Sequence, residues 1–581
     1  MENDEKFIRS LYGKMAVAST VALAGNFLAQ ILGTIIAGNI LSDAALATVG
    51  IATPVYYVYG AAGAMLGIGC ATLCANHIGK SEFLECRRVF TMTYILVFAI
   101  AALLTAAVFM FIDPIVLALG ASADNFEEVK RYCQAMAAGG VGFMLIFPAF
   151  NILRIDGRNK TAAGVFVISG IVTVALTYVF LTFLGTGVAG LAVASCAGSG
   201  IAGIAGGGVI FAKSKNFRPI RPVKPFAAAK NIAVTGTPGA MEYFCFFACM
   251  LVLNNLLASY FGGSTVAAYK VADSINSFAL ILIWGIVGPL TPLAGVFGAE
   301  RDTRSLRDVL KLSIKWGLSV ILPLTGLLLV FAPRVAGLFG MSAAFYAVRI
   351  FALSIPLSFL NHILIYLYMG GKKVLLANVL MASRMAVWVV VVAIPLAGIG
   401  QIAFWWCFVA AEFLTLITAL VVSAAARKGN KNLLPLLLID ISAERDGRYV
   451  SFSAQPGQAA EAAASLVNFC EANDLSPKTS MAISLAIEEI LVVIFDKSKP
   501  ESANLRILIV ADSDVIILRV RCGGKLFNPV DYARKASPDE ALEIMGVNMI
   551  LKLAVSLDYR NTFGVNNTTI IIGNVKHAMK K

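Results

Sequence analysis

Long apolar runs, separated by short polar segments, fill the first 426 residues of the chain. A helix of about 20 apolar residues is long enough to cross the hydrocarbon core of a bilayer. The runs therefore predict twelve membrane-spanning helices, six in each half of this region. They lie at 15–38, 46–75, 89–112, 133–153, 162–184, 188–212, 236–260, 265–297, 312–332, 346–369, 374–396 and 401–424.

The pattern changes after Arg427, where apolar runs become shorter and charged residues more frequent. Segments rich in β-branched residues predict strands at 448–454, 505–512, 515–522, 557–563 and 568–573. Helices are predicted at 456–473, 477–496 and 539–556. The tail is therefore expected to be an α/β sandwich, with one layer of helices on a mostly antiparallel sheet.

Composition and charge agree with an all-α polytopic membrane protein that carries this tail. Of the 581 residues, 59% are hydrophobic and only 14% are charged, and the mean hydropathy is +0.81. The net charge of +13 does not indicate nucleic-acid binding, because Lys and Arg are concentrated in alternate short loops between the apolar runs. This bias predicts that those loops and both termini face the cytoplasm. The first apolar run is expected to be a retained span.

Cysteine and histidine usage indicates neither a metal site nor a disulfide framework. The ten cysteines are scattered, no two of them form a C-x-x-C pair, and there are only three histidines. No residue pattern predicts a catalytic centre either. We therefore expect a protein that is not an enzyme and that needs no cofactor.

The two halves of the apolar region resemble each other. AALATVGIATP at 44–54 aligns with STVAAYKVADS at 264–274, and GTGVAGLA at 185–192 aligns with GIGQIAFW at 398–405. With six spans in each half, both repeats begin on the same side of the membrane, as two bundles around a central cleft. The predicted parts are an N-lobe, a cytoplasmic linker, a C-lobe and a cytosolic tail, at 1–212, 213–235, 236–426 and 436–581.

Glu242 is a carboxylate within an apolar run, in the segment GTPGAMEYFCFF that begins at Gly236. An ionised side chain in the middle of a span costs about 2.5–3.5 kcal/mol on insertion scales, so it usually faces a bundle interior or a wet cavity. A carboxylate there could exchange a proton or bind Na⁺ among other oxygens, or it could bond to a neighbouring helix for purely structural reasons. Our hypothesis is ion or proton coupling.

Other polar residues also lie inside the predicted spans. Asn26, Gln30 and Thr34 follow one helix face, where they could line a substrate cavity or form interhelical hydrogen bonds. Asp273 could couple an ion or pair with Lys270 three residues earlier.

Arg384 and Glu412 both fall near mid-membrane depth on adjacent spans. We expect them to form a structural intramembrane ion pair.

Residues 10–426 resemble the multidrug and toxic compound extrusion (MATE) family. The resemblance is carried by the G-x-P-x-x-x-E start of span seven, by NNLLASYFGG and VAAYKVADSI after it, and by the G-x-G before spans six and twelve. It implies a bacterial inner-membrane antiporter that expels organic cations and other amphiphiles in exchange for Na⁺ or H⁺. It also implies family positions for Glu242 and Asn254, whereas Gly33 replaces an acid that many relatives carry in span one.

The tail resembles the GHKL ATP-binding fold, especially the anti-sigma-factor serine kinases. Glu489 matches a Glu of that fold's first helix motif, but Val493 replaces the Asn that holds Mg²⁺. The adenine-reading Asp-x-Gly motif keeps only its Gly524, and Gly546 and Asn548 resemble the phosphate loop. The resemblance therefore implies a degenerate domain, without kinase activity, that binds a cytosolic protein or regulates the transporter.

The expected function is export of small amphiphilic or cationic substrates by alternating access, coupled to Na⁺ or H⁺. Two alternatives remain open. One is a membrane ligand sensor that signals through the tail; the other is a lipid-linked saccharide flippase, against which the small number of basic residues inside the spans argues.

Overall fold

The computed structural model describes residues 2–41, 43–80, 82–119, 121, 125–214, 217–223, 225–261, 263–338, 345–475, 477–509, 515–535, 547–548, 554–562 and 565–572. At some helical positions only the backbone is described.

Helices form the membrane part of the chain, because its apolar runs contain good helix formers and satisfy their backbone hydrogen bonds internally. They are α1 (Glu2–Ile40), α2 (Asp43–Gly79), α3 (Phe83–Met110), α4 (Ile112–Ala118), α5 (Phe126–Ile155), α6 (Asn159–Thr182), α7 (Gly187–Lys213), α8 (Pro225–Phe261), α9 (Gly263–Val287), α10 (Leu290–Ala299), α11 (Thr303–Leu338), α12 (Phe345–Gly370), α13 (Val374–Ala382), α14 (Trp388–Ile399), α15 (Gln401–Phe404) and α16 (Trp406–Lys428). A π-helical turn, Ser383–Val387, joins α13 to α14.

Ten helical segments within the described residues are long and apolar enough to cross a membrane. They coincide with ten of the predicted spans, so the chain is a multi-pass membrane protein. The other two predicted spans, 15–38 and 236–260, fall on α1 and α8, whose side chains are described only in part. The total of twelve spans stays a prediction.

Helix α8, which carries predicted span seven, begins at Pro225, inside the predicted linker at 213–235. Proline suits the first turn of a helix, and the three alanines that follow Phe226 favour helix over extended chain. The helix is therefore eleven residues longer at this end than the predicted span seven, which starts near Gly236. The division of the chain into lobes and linker stays a prediction.

The two halves pack closely at one end of the bundle. We call this end the tail side, and its loops follow Gly79, Ile155, Ala299 and Gly370. Here Asn76 of α2 donates a hydrogen bond to the Gly370 carbonyl, with an Nδ2–O distance of 3.1 Å. The Tyr12 hydroxyl of α1 likewise donates to the Ile286 carbonyl of α9, at 2.6 Å. The structure is therefore closed between the halves on its tail side.

Glycines allow the close approach of α2 to α8 within this contact. A Cβ atom at Gly236 would lie 1.8 Å from the carbonyl oxygen of Met65, and one at Gly69 would lie 2.1 Å from that of Ile232. Small residues let membrane helices approach backbone to backbone in this way.

Gly236→Ala is expected to separate α2 from α8 and to destabilise the protein by about 1–3 kcal/mol. The measurement is Tm in detergent. Gly208→Ala is the matched control, because a Cβ at that helical glycine has no neighbour within 4 Å. An unchanged Tm for Gly236→Ala would contradict the packing described above.

The tail forms a five-stranded antiparallel sheet with the order β1-β2-β3-β5-β4. Its strands are β1 (Tyr449–Ala454), β2 (Ala503–Ile509), β3 (Ile516–Cys522), β4 (Ser556–Thr562) and β5 (Val565–Ile572). Its helices are α17 (Ser442–Arg445), α18 (Ala459–Glu471), α19 (Pro477–Ser498) and α20 (Pro529–Lys535). The five strands lie near their predicted places, whereas most of the helix predicted at 539–556 lies outside the described residues.

The core of the tail lies between one face of this sheet and the two long helices. Leu505, Ile507, Leu518 and Val520 point from the sheet toward α18 and α19, where they join apolar residues such as Leu466. Because successive strand residues alternate between faces, their neighbours point the other way, toward the membrane part of the chain.

Candidate functional site

A cavity inside the second half of the membrane part lies between α8, α9, α12, α14 and α16. Its wall is mostly apolar and aromatic, with a few polar groups. The lining residues include Phe246, Asn276, Phe351, Ser358, Arg384 and Glu412. Apolar clefts with a small number of placed polar groups are typical of ligand sites.

The Arg384–Glu412 ion pair is the charged part of the cavity wall. Arg384 Nη2 lies 2.7 Å from Glu412 Oε1, and Arg384 Nε donates to Oε2 at 3.2 Å. Asn361 donates to the same Oε2 at 2.7 Å, and Ser358 Oγ accepts from Arg384 at 2.6 Å. Both charged side chains are at most 9% exposed. The carboxylate is thus fully engaged by protein donors, as a buried charge must be.

Arg384 lies in the π-helical turn. The turn contains Arg384 as its second residue and joins two apolar helices. A π-turn adds a residue to the helix, rotates the side chains after it, and is frequent at functional sites. From this turn the Arg384 guanidinium reaches Glu412 on the neighbouring helix α16.

His362 is buried beside this network as a neutral imidazole. The Trp284 indole donates to its Nε2 at 3.2 Å, so that nitrogen is an acceptor. Nδ1 then carries the proton and donates to the Ser358 carbonyl, 2.8 Å away. This tautomer follows from its partners.

Glu242 has a different environment from Glu412. Its Oε1 is buried, and no hydrogen-bond donor reaches it from the described residues. Arg384 interacts with it electrostatically, but that guanidinium is already bonded to Glu412. A buried carboxylate oxygen without a donor is costly unless a proton or a cation satisfies it.

An aromatic cluster adjoins Glu242 where the two halves meet. Tyr57 of α2 packs against Tyr243, Phe246 and Phe247 of α8, with ring centroids 5.9–6.4 Å apart. Phe246 also lines the cavity, so this cluster adjoins the cavity. Aromatic faces attract organic cations through the ring quadrupole.

Several predicted site residues fall outside the part of the chain that the structure describes. The side chains of Asn26, Gln30, Thr34, Asn254 and Asp273 lie outside the described residues, as does the whole of Gly546. Among the residues that are described, no three His, Cys, Asp or Glu side chains form a group that could hold a metal ion.

The sequence comparison gives the family. The sequence model of the MatE family matches residues 18–179 and 238–394, one segment in each half and together more than half of the chain. The chain belongs to the MatE family. Members of this family are transporters rather than enzymes. No curated protein sequence matches it.

Solved structures share the fold of this MatE protein. They include a MATE protein in complex with MaD3S, a multidrug resistance MATE family transporter in an outward-facing conformation, and a transporter from Pyrococcus furiosus described as having a binding pocket of reverse polarity. Each is 20% identical to this chain, with a TM-score of 0.68, and the match covers 73% of this chain and 97% of that one.

The tail of this MatE protein has apolar side chains where the GHKL resemblance puts its metal-holding Asn. Val493 on α19 packs against Val547, beside Phe527, Tyr532 and Leu557. Glu489, one turn earlier, and Asn548 are both half-buried.

Gly524 has a structural role. Its φ is +82°, a conformation that favours glycine. A Cβ atom at this position would also lie 2.3 Å from the Ser498 carbonyl oxygen.

The polar partners of the Arg384–Glu412 ion pair were not identified by the sequence analysis. Asn361 and His362 form a polar pair within an apolar span, and that signal was available. Ser358 and Trp284 carried no such signal, because Ser and Trp are common in membrane helices.

Proposed function

We propose that this protein is a secondary active exporter of small amphiphilic or cationic molecules, driven by exchange for Na⁺ or H⁺. The observation that carries the proposal is the buried Oε1 of Glu242, which has no donor among the described residues. A proton or Na⁺ would satisfy that oxygen, and its release would leave a negative charge for an organic cation. The neighbouring aromatic cluster supports binding of such a cation.

Coupling through Glu242 fits better than coupling through Glu412. Glu412 accepts hydrogen bonds from Asn361 and Arg384, so its negative charge is satisfied in place. An exchanging group must change its partner during the cycle, whereas a group in a closed network holds helices together. We assign Arg384 and Glu412 the structural role.

We further propose that the tail side faces the cytoplasm of a bacterial inner membrane. Basic residues are concentrated in the loops of this side, which include Arg158, Arg301 and Lys372. The tail is then cytosolic. The apolar cluster at Val493 supports a regulatory or interaction role without nucleotide.

A membrane ligand sensor is the second candidate, because the tail contacts the membrane part of the chain directly. Arg304 of α11, for example, donates to the Ser451 carbonyl of β1 at 3.2 Å. Such contacts could carry a signal from a ligand-bound bundle to a cytosolic partner.

Gradient-driven efflux from proteoliposomes tests the exporter. We expect a fluorescent organic cation to leave vesicles that contain the intact chain when a Na⁺ or an H⁺ gradient is imposed, and not when both are absent. The gradient that works identifies the coupling ion. If folded protein moves no cation under either gradient, the exporter proposal is wrong and the sensor gains weight.

A further inference from the structure

Three arginines line the face of the tail sheet that points away from its helices. Arg506 lies on β2, and Arg519 and Arg521 lie on β3. Their side chains are only 4–9% exposed. Because a guanidinium is always charged, three buried ones need close acceptors.

The acceptors belong to the loop between α10 and α11 in the second half of the membrane part. Arg521 Nη2 bonds to Glu300 Oε1, and Arg506 Nη1 pairs with Asp302 Oδ2. Tyr449 Oη donates to Asp302 Oδ1 at 2.8 Å. Burial raises the pKa of Asp302, but Arg506 and Arg521 outweigh this and leave that pKa below its ordinary value. Asp302 therefore stays ionised while the tail is docked.

Arg519 contacts both halves of the membrane part at once. Its Nη1 donates to the Glu300 carbonyl in the second half, at 3.4 Å. Its Nη2 donates to the Gly79 carbonyl at the end of α2, in the first half, at 3.2 Å. One rigid guanidinium thus joins the two halves, and any separation of Gly79 from Glu300 must break one of these hydrogen bonds.

Neighbouring contacts extend this bridge on both sides. Toward the first half, the Arg560 guanidinium of β4 lies over the Phe83 ring of α3, 4.1 Å from its centroid. Toward the second half, Glu444 accepts hydrogen bonds from Thr303 and Arg307, each at 2.8 Å. The tail is thus anchored to the second half and reaches across to the first.

We propose that the docked tail is a clamp that holds the two halves together on the tail side and so restrains opening toward that side. Alternating access requires the halves to separate there in one phase of each cycle. The clamp opposes this step, because separation strips charged groups of their partners. Any signal that undocks the tail would allow the two halves to separate on the tail side. Regulation of transport would then act through docking of the tail.

Distance measurements in the full chain test the clamp without any transport assay. Spin labels are placed on Lys160→Cys at the start of α6 and Lys428→Cys at the end of α16, both exposed on the tail side. All ten native cysteines are buried and leave the background low. Pulsed EPR then gives the populations with short and long separations between the halves.

Arg519→Ala is expected to raise the ratio of the long to the short population by about tenfold, since it removes two hydrogen bonds from a charged donor. Glu300→Gln combined with Asp302→Asn should act in the same direction, because it removes the acidic partners of Arg521 and Arg506 and so weakens docking of the tail. Arg448→Ala is the matched control, because that tail arginine pairs locally with Asp446 and should leave the distribution unchanged.

An unchanged distribution in both the Arg519 variant and the double acid variant would overturn the clamp. If Arg519→Ala fails to fold, the distance distribution of the double acid variant is the test of the clamp. Because the readout is a distance, it does not depend on transport. The clamp proposal can therefore be wrong while the exporter proposal is right, and the reverse can also be found.

Discussion

Glu242→Gln is expected to reduce gradient-driven efflux by about 100-fold or more, the lower end of the contribution that a proton-transferring side chain makes in catalysis. Gln has nearly the shape of Glu but cannot ionise, so it can neither release a proton nor neutralise Na⁺. The fold should tolerate the change, because Oε1 loses no hydrogen bond to a described residue. The measurement is efflux from proteoliposomes at matched protein content.

Two further variants sharpen this result. Glu242→Asp keeps the charge and should retain part of the efflux, with a weaker apparent affinity for the ion because the carboxylate is withdrawn. Glu127→Gln, at an exposed acid near the start of α5, should behave as the intact chain does. Full efflux by Glu242→Gln would remove this residue from the coupling mechanism, whatever the fate of the exporter.

Arg384→Met alone should destabilise the protein by about 3–5 kcal/mol, because it leaves Glu412 charged and buried without its cation. Glu412→Gln alone should have a similar effect, since Arg384 then lacks its acid. The two changes combined should cost less than either one, because no unpaired charge remains. Tm in detergent and the fraction of monodisperse protein measure the three variants.

If the double variant loses as much stability as the two single variants lose together, this interpretation of the pair is wrong. It would mean that Arg384 and Glu412 act through separate partners, such as Ser358 and Asn361, rather than through each other. Efflux by the stable double variant gives a second test: if the pair is structural, transport should persist at a measurable rate.

The span pattern could be predicted from sequence because it depends only on composition along the chain. Glu242 could be singled out for the same reason, since an acid in an apolar run is visible without any structure. The π-turn could not be foreseen. It changes the side-chain direction after Arg384 by a register shift that no periodicity encodes.

The tail was predictable in its elements but not in its docking. Arg519 and Arg521 alternate with apolar residues in β3, which predicts that they share one face of the sheet. Their partner Glu300 lies 221 residues before Arg521, in a loop with no distinguishing motif. Contacts over such a separation depend on how whole domains come together, and that information is not local.

The same separation sets an order of events during synthesis. Glu300 leaves the ribosome 221 residues before Arg521, which corresponds to roughly 10–45 s at ordinary rates of translation. Throughout this interval the two acids of the loop lack their arginine partners, and the inserted helices have no clamp. Each new molecule therefore completes its membrane helices before the tail that restrains them. A chain cut after Lys428 would keep the helices and lack the tail.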